Sequence, residues 1–302
     1  MIQLLFQFLL KIFFYLYNIK LYLHHKLSRF NIILPAKIIA KNKIRIIMKK
    51  LIIPSLILTL FFVLAFSTKS NFDKGKRALI YTKSGEGYIH KNIPTSIKAL
   101  EEICKAEGIL TDASEDPAVF TDENLKKYDI LIFSNTNNKI FDTEEQKKAL
   151  QKYIRNGGGY VGIHSASGGQ RDWPWYWALV GGKFVRHPPY QKFDVVITDK
   201  NHPSTSFLGE KWKVEDECYF SNQLNPDINI LLSADLTTIE DEKKSEYPSD
   251  TFGNYFPLCW SHEFDGGRQW YTALGHDTKT YNDPTFRKHL RGGILWVLCL
   301  EK

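Results

Sequence analysis

The sequence predicts an α/β domain built on a mostly parallel sheet with helices on both faces. Three observations point there. Short apolar, β-branched runs recur along residues 77–302, and helical patterns separate the first three of them. A glycine run at Gly157, Gly158 and Gly159 then feeds the strand Tyr160-Val161-Gly162-Ile163, which ends on His164. Strands that alternate with helices need crossover connections, and crossovers give parallel strands buried on both faces.

The elements follow in order. Residues 78–82 and 129–134 read as the first strands, and 93–106 between them sets Ile97, Leu100, Ile103 and Cys104 on one helical face. A second helix is expected over 143–155, with Asp142 as N-cap, Glu145 in capping-box spacing and Gly157 as its stop. The strand 160–164 comes next. Later runs at 194–198, 228–233, 258–263 and 269–274 stand among longer loops, which predicts antiparallel strands added at one edge. An amphipathic helix over 283–300 closes the chain, with Pro284 in its first turn and Leu290, Ile294, Leu295 and Val297 toward the core.

The formal charge of +7 is misleading. Residues 1–67 hold ten Lys or Arg and no Asp or Glu, which leaves 30 basic against 33 acidic residues in 68–302. A domain with a slight negative balance has no electrostatic reason to bind nucleic acid. Met48-Lys49-Lys50 opens a 16-residue uncharged stretch from Leu51 to Phe66, followed by Ser67. That is the layout of a secretory signal over 48–67, shorter than a membrane span needs, with cleavage near Ser67 and a periplasmic or secreted product. Residues 1–47 are expected to be a mis-assigned upstream extension, and 68–76 a linker to one domain over 77–302. The only membrane contact expected is through the signal itself.

The four cysteines, Cys104, Cys218, Cys259 and Cys299, form no C-x-x-C pair, so a zinc knuckle or thioredoxin-like motif is excluded. Cys104 and Cys299 sit in apolar patterns and read as core. An oxidising compartment permits a Cys218–Cys259 disulfide, which the sequence leaves open.

Seven histidines lie beyond the signal segment: His90, His164, His187, His202, His262, His276 and His289. A strand, a tight turn and a helix lift one side chain to the rim of a parallel sheet, where ligands bind. At that elbow stands His164, an imidazole that ligates metals and moves protons but is a poor acyl carrier. His90 follows the first strand and His276 the strand at 269–274, so both are placed to converge with it. His289 reads as solvated or capping, His202 as shaping a turn, and His262 as equally structural or functional. Asp216-Glu217 reads as a solvated pair or, opposite histidines, as a metal ligand or general base at Glu217. The aromatic run Trp173-Pro174-Trp175-Tyr176-Trp177 offers rings that stack on sugars or simply fill a core.

Together these motifs resemble the trehalose-utilisation (ThuA-like) family over nearly all of 77–298. The resemblance is carried by Tyr153-Ile154-Arg155 with the glycine strand 157–164, by Asp172-Trp173-Pro174-Trp175 through Gly181-Gly182, and by His187-Pro188. His202-Pro203-Ser204-Thr205, Asp216-Glu217 with Tyr219, and Trp260-Ser261-His262-Glu263 continue it. Asp265-Gly266-Gly267-Arg268 and Leu274-Gly275-His276 complete it. It implies a flavodoxin-like, class I glutamine-amidotransferase-like three-layer sandwich. Glutamine amidotransferase activity itself is not expected, because the elbow Cys is replaced by His164, and Asp277-Thr278 stand where Pro-Glu would follow His276.

The family resemblance further implies carbohydrate catabolism, with 3-keto-glycosides (oxidised disaccharides) as substrates of a lyase or hydrolase. His164, His276 and Glu217 are then the expected catalytic residues. His90, His164, His187 and His276 are the expected ligands of a divalent metal, and Trp173, Trp175, Asp216 and Tyr219 the expected substrate contacts. The expected partners are a small carbohydrate and, functionally, a sugar dehydrogenase. The competing expectation is a non-catalytic carbohydrate-binding module on the same scaffold.

Overall fold

The computed structural model describes residues 75–244 and 252–300. The expectations for 1–47, 48–67 and most of the linker lie outside the described residues.

The sheet grows from an apolar centre. Strands β1 (Arg77–Tyr81), β2 (Leu110–Ser114), β3 (Ile130–Ser134) and β4 (Gly159–Ile163) are joined by helices α1 (Ile93–Ala106), α2 (Asp122–Leu125) and α3 (Glu144–Arg155). Beyond them come α4 (Pro174–Val180), β5 (Lys183–Arg186), β6 (Gln191–Ile197), β7 (Lys211–Asp216), β8 (Phe220–Asn222) and β9 (Asn229–Asp235). Strands β10 (Tyr255–Phe264) and β11 (Gly267–Thr272) and helix α5 (Pro284–Val297) complete the fold. The nine-stranded sheet runs β2-β1-β3-β4-β11-β10-β9-β6-β7, and β5 and β8 pair separately. Strands β2, β1, β3, β4 and β11 are mutually parallel, whereas β10, β9, β6 and β7 add antiparallel at one edge, as the loop-rich second half predicts.

The connection from β1 leads to β2 on one side, and the chain then returns to β3 and β4 on the other. Right-handed crossovers in opposite directions put their helices on opposite faces, which produces three layers. The reversal leaves a crevice at the carboxyl ends of β1 and β3, the usual place for a ligand in such sheets. Ile130, Leu131, Ile132 and Phe133 of β3 are wholly buried, as expected of a central parallel strand.

Local corrections have simple causes. Helix α3 starts one residue later than the sequence predicts: Thr143 is its N-cap and Gln146 closes the capping box. Asp142 is engaged instead by Lys83 at 2.8 Å. The stop at Gly157 holds, with φ +88 there and its N–H bonded to the Ile154 carbonyl. Asp283 caps α5, and Cys299 lies exposed just past its end rather than in the core. Cys218 and Cys259 are buried free thiols, so the permitted disulfide is not formed.

His289 is the clearest departure, because it is fully buried rather than solvated. Its Nδ1–H donates to the Ser204 carbonyl at 2.8 Å, and Nε2 lies 3.1 Å from Thr272 Oγ1. Burial, together with nearby His202, lowers its pKa to about 4, opposed by the Ser204 bond. The folded protein therefore refuses a proton that the unfolded chain accepts near pH 6.5. Between those values the unfolded state binds more protons, so this residue's contribution is intact above pH 6.5 and falls as pH drops toward 4. The full span is worth roughly 3 kcal/mol. His289→Asn is expected to lose less stability than wild type between pH 7 and pH 4.5, read as the difference in urea midpoints. Parallel acid profiles would refute the assignment.

Candidate metal and acid–base centre

His164 follows β4 directly, with φ +53, and opens a short 3₁₀ turn over His164–Gly168. That left-handed value is uncommon for a residue with a side chain, and such strain concentrates at functional turns. Gly162 stands two residues earlier because a Cβ there would lie 3.0 Å from the Tyr271 ring. The elbow is held from below by Tyr271, whose hydroxyl donates to the His164 carbonyl at 2.8 Å.

The imidazole is completely buried, and its tautomer is fixed. Nδ1 lies 2.7 Å from the Ala273 carbonyl, which only accepts, so Nδ1 carries the proton. A neutral ring then presents a bare Nε2. On that one atom four groups converge: Tyr219 Oη at 2.9 Å, His90 Nε2 at 3.1 Å, His276 Nδ1 at 3.3 Å and Glu217 Oε2 at 3.6 Å. His276 Nδ1 is also 3.1 Å from Glu217 Oε2. One lone pair accepts one in-plane hydrogen bond, so this crowding exceeds what hydrogen bonding alone uses.

The members are delivered by the ends of four strands, β1, β4, β7 and β11. His90 follows β1, with Nδ1 3.3 Å from Ser165 Oγ. His276 follows β11. Asn92, the N-cap residue of α1, does not cap its own helix; its amide donates to the Gly275 and His276 carbonyls at 2.6 and 2.7 Å. Glu217 and Tyr219 arrive where the chain leaves β7. Asp216 anchors that crossing, because its buried carboxylate accepts from the backbone N–H groups of Gly275, His276 and Glu217 at 2.8, 3.1 and 2.8 Å. Burial pushes its pKa up to about 6 even against those three bonds.

The electrostatics separate the three rings. Burial, with His276 next to it, lowers His90 to about 4. Burial, reinforced by His90, drives His164 well below the ordinary histidine range. Burial would also lower His276, but its hydrogen bond and charge contact with Glu217 outweigh that, and its pKa is raised. The centre therefore holds two neutral imidazoles beside a readily protonated third. Such divergence among neighbours marks acid–base sites.

The residues also fit a divalent cation. His90, His164 and His276 each offer a nitrogen within one group spanning 4.8 Å. Tetrahedral bonds of ~2.0–2.1 Å separate ligand atoms by about 3.3 Å, close to the separations around His164 Nε2. The Nδ1–H of His164 given to a backbone carbonyl is the usual outer support of a histidine ligand.

The other expected residues range from the cluster's border to the far side of the sheet. His187 stands at the margin, with Nε2 3.6 Å from Glu217 Oε1 and a side chain one-third exposed. Trp173 stacks on Trp175 and packs edge-on to Phe141. Trp175 donates its indole N–H to Asp265 and contacts Phe264, in the β10–β11 turn. That turn is at the amino end of β11, opposite His276, so Trp175 does not meet the cluster, whereas Trp173 packs on Phe141 in the β3–α3 connection. Asp216 is a buried positioning group, and Tyr219 is 4% exposed, so neither presents an open face to a substrate. His262 is structural, with Nε2–H donating to the Ala178 carbonyl. His202 lies in the turn the sequence assigns it, where its carbonyl accepts from the Thr205 and Ser206 N–H groups. Tyr88 and Tyr190, whose rings lie 6.3 and 5.8 Å from that of His276, were not singled out by sequence. The available signal was Tyr88's place two residues before His90.

Fold and elbow together define a glutamine-amidotransferase-like α/β domain whose reactive corner carries a histidine cluster where those enzymes use a thiol. Residues 77–297 match the family described as trehalose utilisation (ThuA), and the chain belongs to that family, which implies a role in carbohydrate utilisation. Two solved structures share the fold. A ThuA-like protein from Bacteroides uniformis ATCC 8492 is 24% identical with a TM-score of 0.59, over 76% of this chain and 94% of that one. A second, from Parabacteroides merdae ATCC 43184, is 20% identical with a TM-score of 0.59, over 74% and 90%. No curated protein matches the sequence.

Proposed function

We propose that this protein is a lyase acting on 3-keto-glycosides, with a divalent cation held by His90, His164 and His276. The observation that carries the reading is the convergence of His90, His276, Tyr219 and Glu217 on the single bare Nε2 of His164. When bound, the cation supplies positive charge that stabilises an enediolate oxygen.

The protein's own groups supply the proton transfers. A ketone at C3 acidifies the C2 hydrogen, and a carboxylate or neutral imidazole removes it. Glu217 takes that proton, the C2–H electrons form the C1–C2 double bond, and the C1–O bond to the leaving sugar breaks. Glu217, held 3.1 Å from His276 Nδ1, then returns that proton to the departing oxygen. The products are a 2-hydroxy-3-keto-glycal and a free sugar, and later addition of water to the glycal completes net hydrolysis. The competing reading, a non-catalytic module, relies on stacking tryptophans, and Trp175 is held at the β10–β11 turn, away from the cluster.

The same proposal puts the protein in the periplasm or outside the cell, exported by 48–67, and has a sugar dehydrogenase supply its substrate. Its test is elemental analysis of the purified protein beside product analysis. About one divalent metal per chain is expected, with cleavage of a 3-keto-disaccharide and none of its unoxidised parent. Equal cleavage of both, or full activity in metal-free protein, would sink it.

A further inference from the structure

We infer that Tyr88 is the stacking wall of the substrate site, and that it binds the C–H face of a pyranose ring whose oxidised edge then meets Glu217 and His276. This rests on the proposed keto-glycoside function and names the surface that selects for a sugar. Tyr88 is 56% exposed and its neighbour Ile89 62%. Tyr88 thus shows a ring to water directly beside the histidine cluster.

The ring's placement is specific. It stands edge-on to His90, with centroids 4.8 Å apart, and nearly parallel to His276, with an interplanar angle of 17°. Two of the three clustered histidines are thus in ring contact with it. Among the described residues, Tyr255 is the other aromatic with strong exposure, and it has no ring contact with the cluster. Tyr190 also flanks His276, but its hydroxyl donates to the Glu215 carbonyl and Lys279 lies over its ring.

The main chain around Tyr88 is held in place. Gly85 packs so tightly on residue 139 that a Cβ there would lie 2.5 Å from the Lys139 nitrogen. Its N–H donates to the Asn137 carbonyl at 2.8 Å, and the Asn138 amide donates to the Glu86 carbonyl at 2.7 Å. Gly87 takes φ +119, which few other residues tolerate. A ring offered to solvent from a fixed backbone loses little conformational entropy when a ligand lies on it. Sugar rings present apolar C–H faces and polar edges, so an aromatic plate beside acid–base groups sorts the two.

The full chain, with 3-keto-trehalose as substrate and trehalose as unreactive binder, tests this. Tyr88→Ala is expected to raise KM roughly tenfold, about one factor of 10 per lost ring contact, with kcat and metal content close to wild type. Tyr88→Phe should stay within about twofold, because the ring rather than the hydroxyl carries the contact. Trp175→Ala should leave KM unchanged. If wild type turns over 3-keto-trehalose and Tyr88→Ala has the same KM, the stacking assignment falls while the proposed function stands. If wild type neither cleaves nor binds either sugar, both fall.

Discussion

Replacing His164 with alanine is expected to lower turnover of a 3-keto-disaccharide by roughly a thousandfold or more, the scale of losing acid–base and metal contributions together. The same substitution should reduce metal content well below one per chain, because Nε2 is the atom on which the other groups converge. The fold should survive. The imidazole is desolvated at a strained φ of +53, and its one backbone partner is the Ala273 carbonyl, so the chain gives up little by losing it. His164→Asn, which tolerates the left-handed region and keeps a donor, should fold like wild type and remain inactive. Wild-type turnover by either variant, confirmed folded by circular dichroism, would remove the elbow from the mechanism.

A large loss of stability is expected at Gly292. A Cβ there would stand 2.4 Å from the Pro203 carbonyl oxygen and from Ser204 Cα, both backbone atoms. Gly293 beside it gives way to the Trp270 ring. Together with His289, which bonds the Ser204 carbonyl, these residues form the face by which α5 lies on the 202–205 turn. In an exposed helix Gly→Ala gains about 1 kcal/mol. Here the helix must move away from a turn it touches through main chain, at a cost that overrides the gain. Gly292→Ala is expected to lose about 2 kcal/mol net, lowering Tm by roughly 4–8 °C. A Tm equal to or above wild type would show that the helix shifts freely.

The fold was legible where burial and periodicity agree. Strands β1, β3 and β4 are apolar runs because both of their faces are covered, and α1 shows its buried stripe at Leu100, Ile103 and Cys104. Strand β2, Leu-Thr-Asp-Ala-Ser, has no such signal, because it is the sheet's edge and pairs on one side only. Strands β5 and β8 are short, and only their mutual pairing makes them strands. At the site, the elbow was legible from Gly162 and His164, and the convergence of His90 and His276 from their places after parallel strands. The roles of Asp216 and the tryptophans were not. An Asp-Glu pair looks solvated until three backbone N–H groups are seen to bind it, and an aromatic count does not say at which end of a sheet the rings lie. His289 was misread for a related reason: a polar residue on a helix looks outward until Gly292 and Gly293 reveal that its side is the packed one.

Cys218 and Cys259 carry a consequence for where such a domain can be made. Both are sealed thiols, and burial raises both above the ordinary thiol range, so neither readily becomes the thiolate that reacts with oxidants. With no disulfide among the described residues, their cohesion comes from packing, hydrogen bonds and ion pairs. Shielded from oxidants, these two thiols would stay reduced on either side of a membrane.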